Sequence, residues 1–195
     1  MVAVDSKRNF NTELNFIKNE RIKESANALI NKIPEYFFHE PASSTGKYHP
    51  AFSQGESGLL RHTKAAVKIA NTLLNNNSIG YKFTNDEKDL IILSIIMHDS
   101  VKKGFIEEKY TRFDHPLLAS KLIRENKDET KLTNEEIDLV CSTIETHMGE
   151  WNKDSNGNEI LKKPTNKYQR FVHMCDYLSS QKFLNVNFND ENEII

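Results

Sequence analysis

Apolar positions along this chain recur mostly at the helical period and divide it into a few amphipathic segments. Leu14, Ile17, Ile22, Ala26, Leu29, Ile30 and Ile33 form a first stripe, which Pro34 ends. Residues 34–58 break the pattern. Pro41, Pro50, Gly46, Gly55, Gly58 and four serines read there as a long loop, and loops of that length inside compact domains are often functional. A helix then runs from about Gly58 to Leu74, and Asn75-Asn76-Asn77 stops it. Thr84 with Glu87 three positions on is a capping box, and the run from Leu90 to Met97 behind it is apolar on all sides. That run predicts a central, buried helix. Pro116 suits the first turn of a helix through about Glu125, Thr133 and Glu136 cap another to about Met148, and a last one spans about Thr165 to Phe183. Asn156-Gly157 signals a small hairpin near residues 150–162, and the polar stretch Asn185–Ile195 is expected to fray. The pattern reads as all-α, a compact helical bundle in a single domain over 1–195. Residues 1–33 form an N-terminal helical appendage to it, 59–180 its core and 185–195 a polar tail.

Composition narrows the class. With 195 residues, 37% hydrophobic and 28% charged, the chain is long enough to bury a real core. No apolar run approaches the roughly 20 residues that cross a bilayer, so no membrane partner is expected. The first 13 residues are polar, with Asp5, Lys7 and Arg8 and no apolar stretch, which argues against a secretory signal. Cys141 and Cys175 sit inside helical patterns and form no CxxC pair; that fits a reducing, cytoplasmic setting better than a disulfide framework. A formal charge of -2 gives no global attraction to nucleic acid, so any phosphate-binding surface has to be local.

The chemistry lies in six residues: His62, the adjacent His98-Asp99, His115, His147 and Asp176. An isolated histidine on a helix is more often a structural group than a ligand. Context changes that reading. His98-Asp99 ends the most hydrophobic helix, His115 precedes a helix-starting proline, and Asp176 borders a helix whose buried side is marked by Phe171, Met174, Cys175 and Leu178. A carboxylate in such a place needs a cation or several donors. Four imidazoles and two carboxylates without a thiolate disfavour a closed structural zinc site. They suit one or two divalent ions with open positions, manganese, iron, cobalt or nickel before magnesium.

In this order the residues resemble the HD-domain superfamily of metal-dependent hydrolases. Gly58-Leu59-Leu60-Arg61-His62-Thr63 is similar to the family's "GLL-x-HT" approach to its first ligand helix. Met97-His98-Asp99-Ser100-Val101-Lys102 is similar to its "HD-x-x-K" segment, and His115-Pro116 with Leu117 to Ser120 to its "HP-x-x-(small)" helix. The resemblance covers roughly residues 41–180; Ser100-Val101 replaces the commoner Ile-Gly, and Ser57 the commoner Gly. It implies His62, His98, Asp99 and Asp176 around one ion. Asp99 would bridge to a second ion held by His115 and His147. It further implies a phosphohydrolase acting, through a metal-activated hydroxide, on a nucleotide, a cyclic nucleotide or short single-stranded nucleic-acid ends. The absence of a "GYP" motif after His-Asp counts against the cyclic-di-GMP branch.

Beside the ligands, Lys102 stands three residues beyond Asp99 and suits a phosphate oxygen, with Lys103 adding field. In the loop, Lys47 suits phosphate, Tyr48 a stacked base and His49 a proton donor to the leaving oxygen. Asp99, Lys102 and His49 are thus the catalytic candidates, and Lys47, Tyr48, Lys102 and Lys103 the substrate contacts. Arg61 projects about 100° from His62 on an ideal helix and is set aside. His39 and His173 read as structural, and Trp151, next to Glu150, as a core or hairpin anchor in preference to a residue lining the pocket mouth after His147. Two other readings stay open. HD-fold proteins resembling myo-inositol oxygenase hold a di-iron pair with the same ligand order, and an HD fold can also serve as a non-catalytic interaction module. Oligomeric state is not legible.

Overall fold

The structure is a computed structural model describing residues 10–47, 49–154 and 156–195. Its described α-helices are α1 (Asn11–Leu14), α2 (Glu20–Ile30), α3 (Gly58–Leu74), α4 (Asn77–Gly80), α5 (Asn85–Met97), α6 (His115–Glu125), α7 (Asn134–Glu145) and α8 (Lys167–Ser179). Short 3-10 turns cover Glu35–Phe38, Ala51–Ser53 and Lys127–Glu129. The all-α expectation holds. The hairpin reduces to one isolated antiparallel bridge, Lys153 with Glu159. None of the described helices is long and apolar enough to cross a membrane.

Helix α5 is the axis. Every residue from Asp89 to Met97 is buried, because no face of the Leu90–Met97 run is polar enough to meet water. Helices α2, α3, α7 and α8 pack around it, and α6 packs on α7. Both capping boxes form as expected, Thr84 with Glu87 and Thr133 with Glu136. His62 on α3, His115 at the start of α6, His147 in the turn just beyond α7 and Asp176 on α8 thereby surround His98-Asp99.

Three expectations need correction. The stripe from Leu14 to Ile33 is two helices with a break at residues 15–19. The Asp89 carboxylate of α5 accepts from the backbone N–H groups of Lys18 and Asn19 at 3.0 and 2.7 Å, and Asn19 then caps α2. The segment 34–58 is more than a surface loop: Tyr36, Phe37 and Phe38 are buried, with Phe37 and Phe38 edge-on at 5.2 Å. The Tyr36 hydroxyl also donates to Gly104 O at 2.8 Å and accepts from Lys103 N at 3.0 Å, which ties this segment to the chain beyond α5.

The third correction concerns the C-terminal stretch, which does not fray. Phe188 lies against Phe52 with ring centroids 5.6 Å apart, and Arg61 donates to Asn192 Oδ1 at 2.7 Å as well as to the carbonyl of Gln54. Glu193 pairs with Lys64, whose side chain is fully buried on α3. From the other end of the chain, Glu13 brings Oε2 to 3.7 Å from the same ammonium. Burial pushes the Glu13 carboxyl up to about 7, although Lys64 pulls it down. Its folded-state pKa exceeds the unfolded value of 4.5, so the folded chain holds a proton that the unfolded chain releases. The contribution is therefore fully present below pH 4.5 and is lost as pH rises to about 7, by roughly 3 kcal/mol. Urea unfolding at pH 5 and pH 7.5 checks this: wild type should lose stability relative to Glu13→Gln across that interval.

Candidate metal centre

Each histidine reaches the centre through a locally fixed ring. After Met97 the α5 helix tightens into i→i+3 turns, with Ser100 N bonded to Met97 O and Lys102 N to Asp99 O, both at 3.1 Å. His98 there gives Nδ1 to Ile95 O at 2.7 Å. His115 opens α6 ahead of Pro116 and gives Nδ1 to Arg112 O at 2.7 Å, while the Arg112 guanidinium grips Asp114 through two 2.8 Å bonds. Helix α7 stops at Glu145, short of the expected Met148, and the turn after it lets His147 give Nδ1 to Ile144 O at 2.7 Å. In all three cases the acceptor is the carbonyl three residues back. His62 on α3 solves the same problem with a side chain: its Nδ1 lies 3.1 Å from Ser179 Oγ, which itself donates to Asp176 O at 2.7 Å. Occupying Nδ1 fixes the tautomer and leaves each Nε2 facing inward.

Those four Nε2 atoms meet around two carboxylates. Asp99 divides its oxygens. Oδ2 lies 3.4 Å from His98 Nε2 and 3.8 Å from His62 Nε2, whereas Oδ1 lies 3.0 Å from His115 Nε2 and 3.7 Å from His147 Nε2. Asp176 Oδ1 lies 3.0 Å from His62 Nε2 and 3.4 Å from His98 Nε2, and His115 Nε2 faces His147 Nε2 at 3.3 Å. Three overlapping ligand sets result: His62-His98-Asp99, His98-His147-Asp176 and Asp99-His115-His147.

The donor set fits a divalent cation on two grounds. Two ligands about 2.1 Å from one ion at right angles sit about 3 Å apart, the spacing found here. In addition, His98 Nε2 and Asp99 Oδ1 are buried without a hydrogen-bond partner, since their close neighbours are out of line for one. Leaving such atoms bare costs free energy that a bound cation removes. Charge is balanced internally in the meantime. Burial opposes ionisation of Asp99, yet Lys102 and His98 hold its carboxyl well below the usual range; His62 and His98 do the same for Asp176. Burial works against His98 too, but Asp99 pushes it up to about 10, whereas burial drives His147 down to about 3 and lowers His62.

The sequence-derived contacts fare unevenly. Lys102 does reach the centre, with Nζ 2.5 Å from Asp99 Oδ2, so it neutralises the carboxylate directly. His49 lies with its ring 5.0 Å from that of His62 and its Nδ1 buried without a partner. Burial, then the neighbouring His62 and Lys102, drive it down to about 3, so it stands neutral and is a poor source of a proton. Lys103 is turned away into ion pairs with Glu40 at 2.8 Å and Glu107 at 3.0 Å. Lys47 is exposed in the loop, and Tyr48 lies outside the described residues. Ser57, where the resembling sequences more commonly have glycine, holds φ 57°, a left-handed conformation that glycine adopts without strain.

Sequence reading missed Ser179, although Asp176-x-x-Ser179 puts it one turn from a ligand. Ser179→Ala is expected to weaken metal binding by about 10-fold, at the low end of losses for groups that orient a ligand, as read by isothermal titration. His173, read as structural, gives Nδ1 to His147 O at 2.6 Å. Trp151 is half exposed rather than a core anchor, and Met174, assigned to the buried side of α8, is on its outer face.

The family model described as HD domain matches residues 59–181, a span that contains all six residues of the centre. No curated protein and no solved structure matches the chain.

Proposed function

The chain belongs to the HD-domain family, and from that membership we propose a metal-dependent phosphohydrolase that cleaves a phosphoester or phosphoanhydride of a nucleotide, cyclic nucleotide or short oligonucleotide. The observation that carries this reading is the convergence of four tautomer-fixed Nε2 atoms on the two oxygens of one buried carboxylate. His62, His98, Asp176 and Asp99 Oδ2 would hold one ion, and His115, His147 and Asp99 Oδ1 a second, with transition metals preferred over magnesium by the imidazoles. Such ions would supply Lewis acidity and lower the pKa of a bound water toward neutrality.

The chain's own residues do the rest. The nearly complete burial of His62, His98, Asp99, His115 and His147 excludes bulk water and strengthens every charge interaction at phosphorus. Lys102 shares Asp99 Oδ2 with the cation position and offers its ammonium to a phosphate oxygen. His49 faces His62 with an unpaired Nδ1 and serves as a neutral hydrogen-bond partner of the substrate. Lys47 supports from the loop.

Elemental analysis coupled to a release screen over nucleoside mono-, di- and triphosphates, cyclic nucleotides and short RNA or DNA tests the proposal. Bound transition metal with phosphate or nucleoside monophosphate released is the expected result. Stoichiometric iron with oxygen uptake and no phosphate release would select an oxygenase instead, and a metal-loaded protein inert toward the whole panel an interaction module.

A further inference from the structure

The centre opens to water at one ligand. Five of the six side chains are exposed by 2% or less, whereas Asp176 is 19% exposed, so Asp176 is the ligand that solvent reaches most. Tyr177 is the next residue on α8, its side chain leaving the helix about 100° from that of Asp176, and Trp151 stacks on Tyr177 with ring centroids 5.7 Å apart and planes 21° apart. These rings are not core. Trp151 is 50% exposed and Tyr177 40%, and Met174 lies on the same outer face of α8, one turn before Tyr177.

The platform is held to the metal ligands by backbone. His173 of α8 bonds the carbonyl of His147, and its ring lies 6.1 Å from Tyr177 and 6.5 Å from Trp151. Gly149 makes this possible. It takes φ 62°, and a Cβ there would fall 2.2 Å from His173 Cε1, so the absence of a side chain lets the imidazole nest against the turn that delivers Trp151. The ring pair is thus fixed relative to both His147 and Asp176. Exposed, stacked and rigid aromatic faces lower the ordering cost of binding a flat ring. The neighbouring residue, Glu150, is exposed and acidic, which suits an uncharged heterocycle at this spot rather than a phosphate.

We propose that Trp151 and Tyr177 form a stacking subsite for the nucleobase of the substrate, beside the open edge of the centre at Asp176. This deepens the phosphohydrolase reading and rests on it for the identity of the reacting group. Stacking accepts any base, because every base has a π-face, so the subsite selects nucleotides over sugar phosphates without discriminating strongly among bases.

Trp151 is the sole tryptophan of the chain, so its fluorescence reports the subsite directly. The full-length protein with manganese(II) is titrated with nucleoside 5′-monophosphates and with ribose 5-phosphate as the base-free probe. The nucleotides should quench the emission saturably, and ribose 5-phosphate should leave it unchanged. Tyr177→Ala should weaken nucleotide binding about 10- to 100-fold. By equilibrium dialysis Trp151→Ala should do the same without altering ribose 5-phosphate binding, and Trp151→Phe should restore most of the affinity. Both side chains are surface-exposed, so the variants are expected to fold, which circular dichroism checks. Equal quenching by ribose 5-phosphate, or nucleotide affinity unchanged in Trp151→Ala, overturns the subsite. Base-dependent quenching in a protein that releases neither phosphate nor nucleoside monophosphate from any nucleotide, cyclic nucleotide or oligonucleotide would leave the subsite standing and remove the hydrolase reading. Efficient hydrolysis unaffected by Trp151→Ala would do the opposite.

Discussion

Asp99→Asn is expected to abolish metal-dependent turnover, lowering kcat on the order of 10³-fold or more while the chain stays folded. Groups that only orient a ligand cost 10- to 100-fold when removed. Asp99 does more: one oxygen faces His98 and His62, the other His115 and His147. An amide keeps the shape but supplies no negative charge and only one acceptor oxygen, so the His115-His147 side loses its carboxylate and the other side is left with Asp176 alone. Lys102 then loses its 2.5 Å partner and adds an unbalanced cation where a metal would sit. Folding survives because the helices around α5 are held by its apolar faces, not by this carboxylate. Steady-state kinetics at fixed metal, with far-UV circular dichroism as the control, check it. Unchanged turnover would remove Asp99 from the chemistry.

The second large effect is on stability. Lys64→Ala is expected to cost about 3–5 kcal/mol, as for other buried ion pairs stripped of one partner. For a chain of this size that corresponds to a Tm lowered by roughly 10 °C. The ammonium is fully buried and is met by Glu13 from α1 and by Glu193 from the C-terminal stretch. Without it Glu193, 26% exposed, can turn to water, but Glu13, 3% exposed, cannot. Lys64→Met combined with Glu13→Gln should recover most of the loss, since no buried charge is then left alone. Thermal melting of the three proteins at pH 7.5 measures it. A loss below about 1 kcal/mol in Lys64→Ala would mean that the buried pair does not join the two ends of the chain.

What the sequence made legible followed from locality. Thr84-Glu87 and Thr133-Glu136 announce helix starts because both partners of each box lie within four residues. The apolar run of α5 announces burial because no rotation of that helix presents a polar face. The six residues of the centre were legible by type and order, and the span matched by the family model contains them. What failed depended on distant partners. The break at residues 15–19 is made by Asp89, some 70 positions away. The docking of the C-terminal stretch depends on Lys64 and Arg61, which in isolation look like solvated charges on a helix. Lys103 looked available for phosphate until Glu40 and Glu107 folded against it. Met174 fits the apolar stripe of α8 by spacing, yet it lies on the outer face beside the exposed Tyr177.

The most direct test of the centre is anomalous diffraction from crystals of the protein equilibrated with manganese(II). The account predicts scattering peaks at two adjacent positions, one bounded by His62, His98, Asp176 and Asp99 Oδ2, the other by His115, His147 and Asp99 Oδ1. Saturating metal with no peak among these residues, or a peak held only by other side chains, would contradict it.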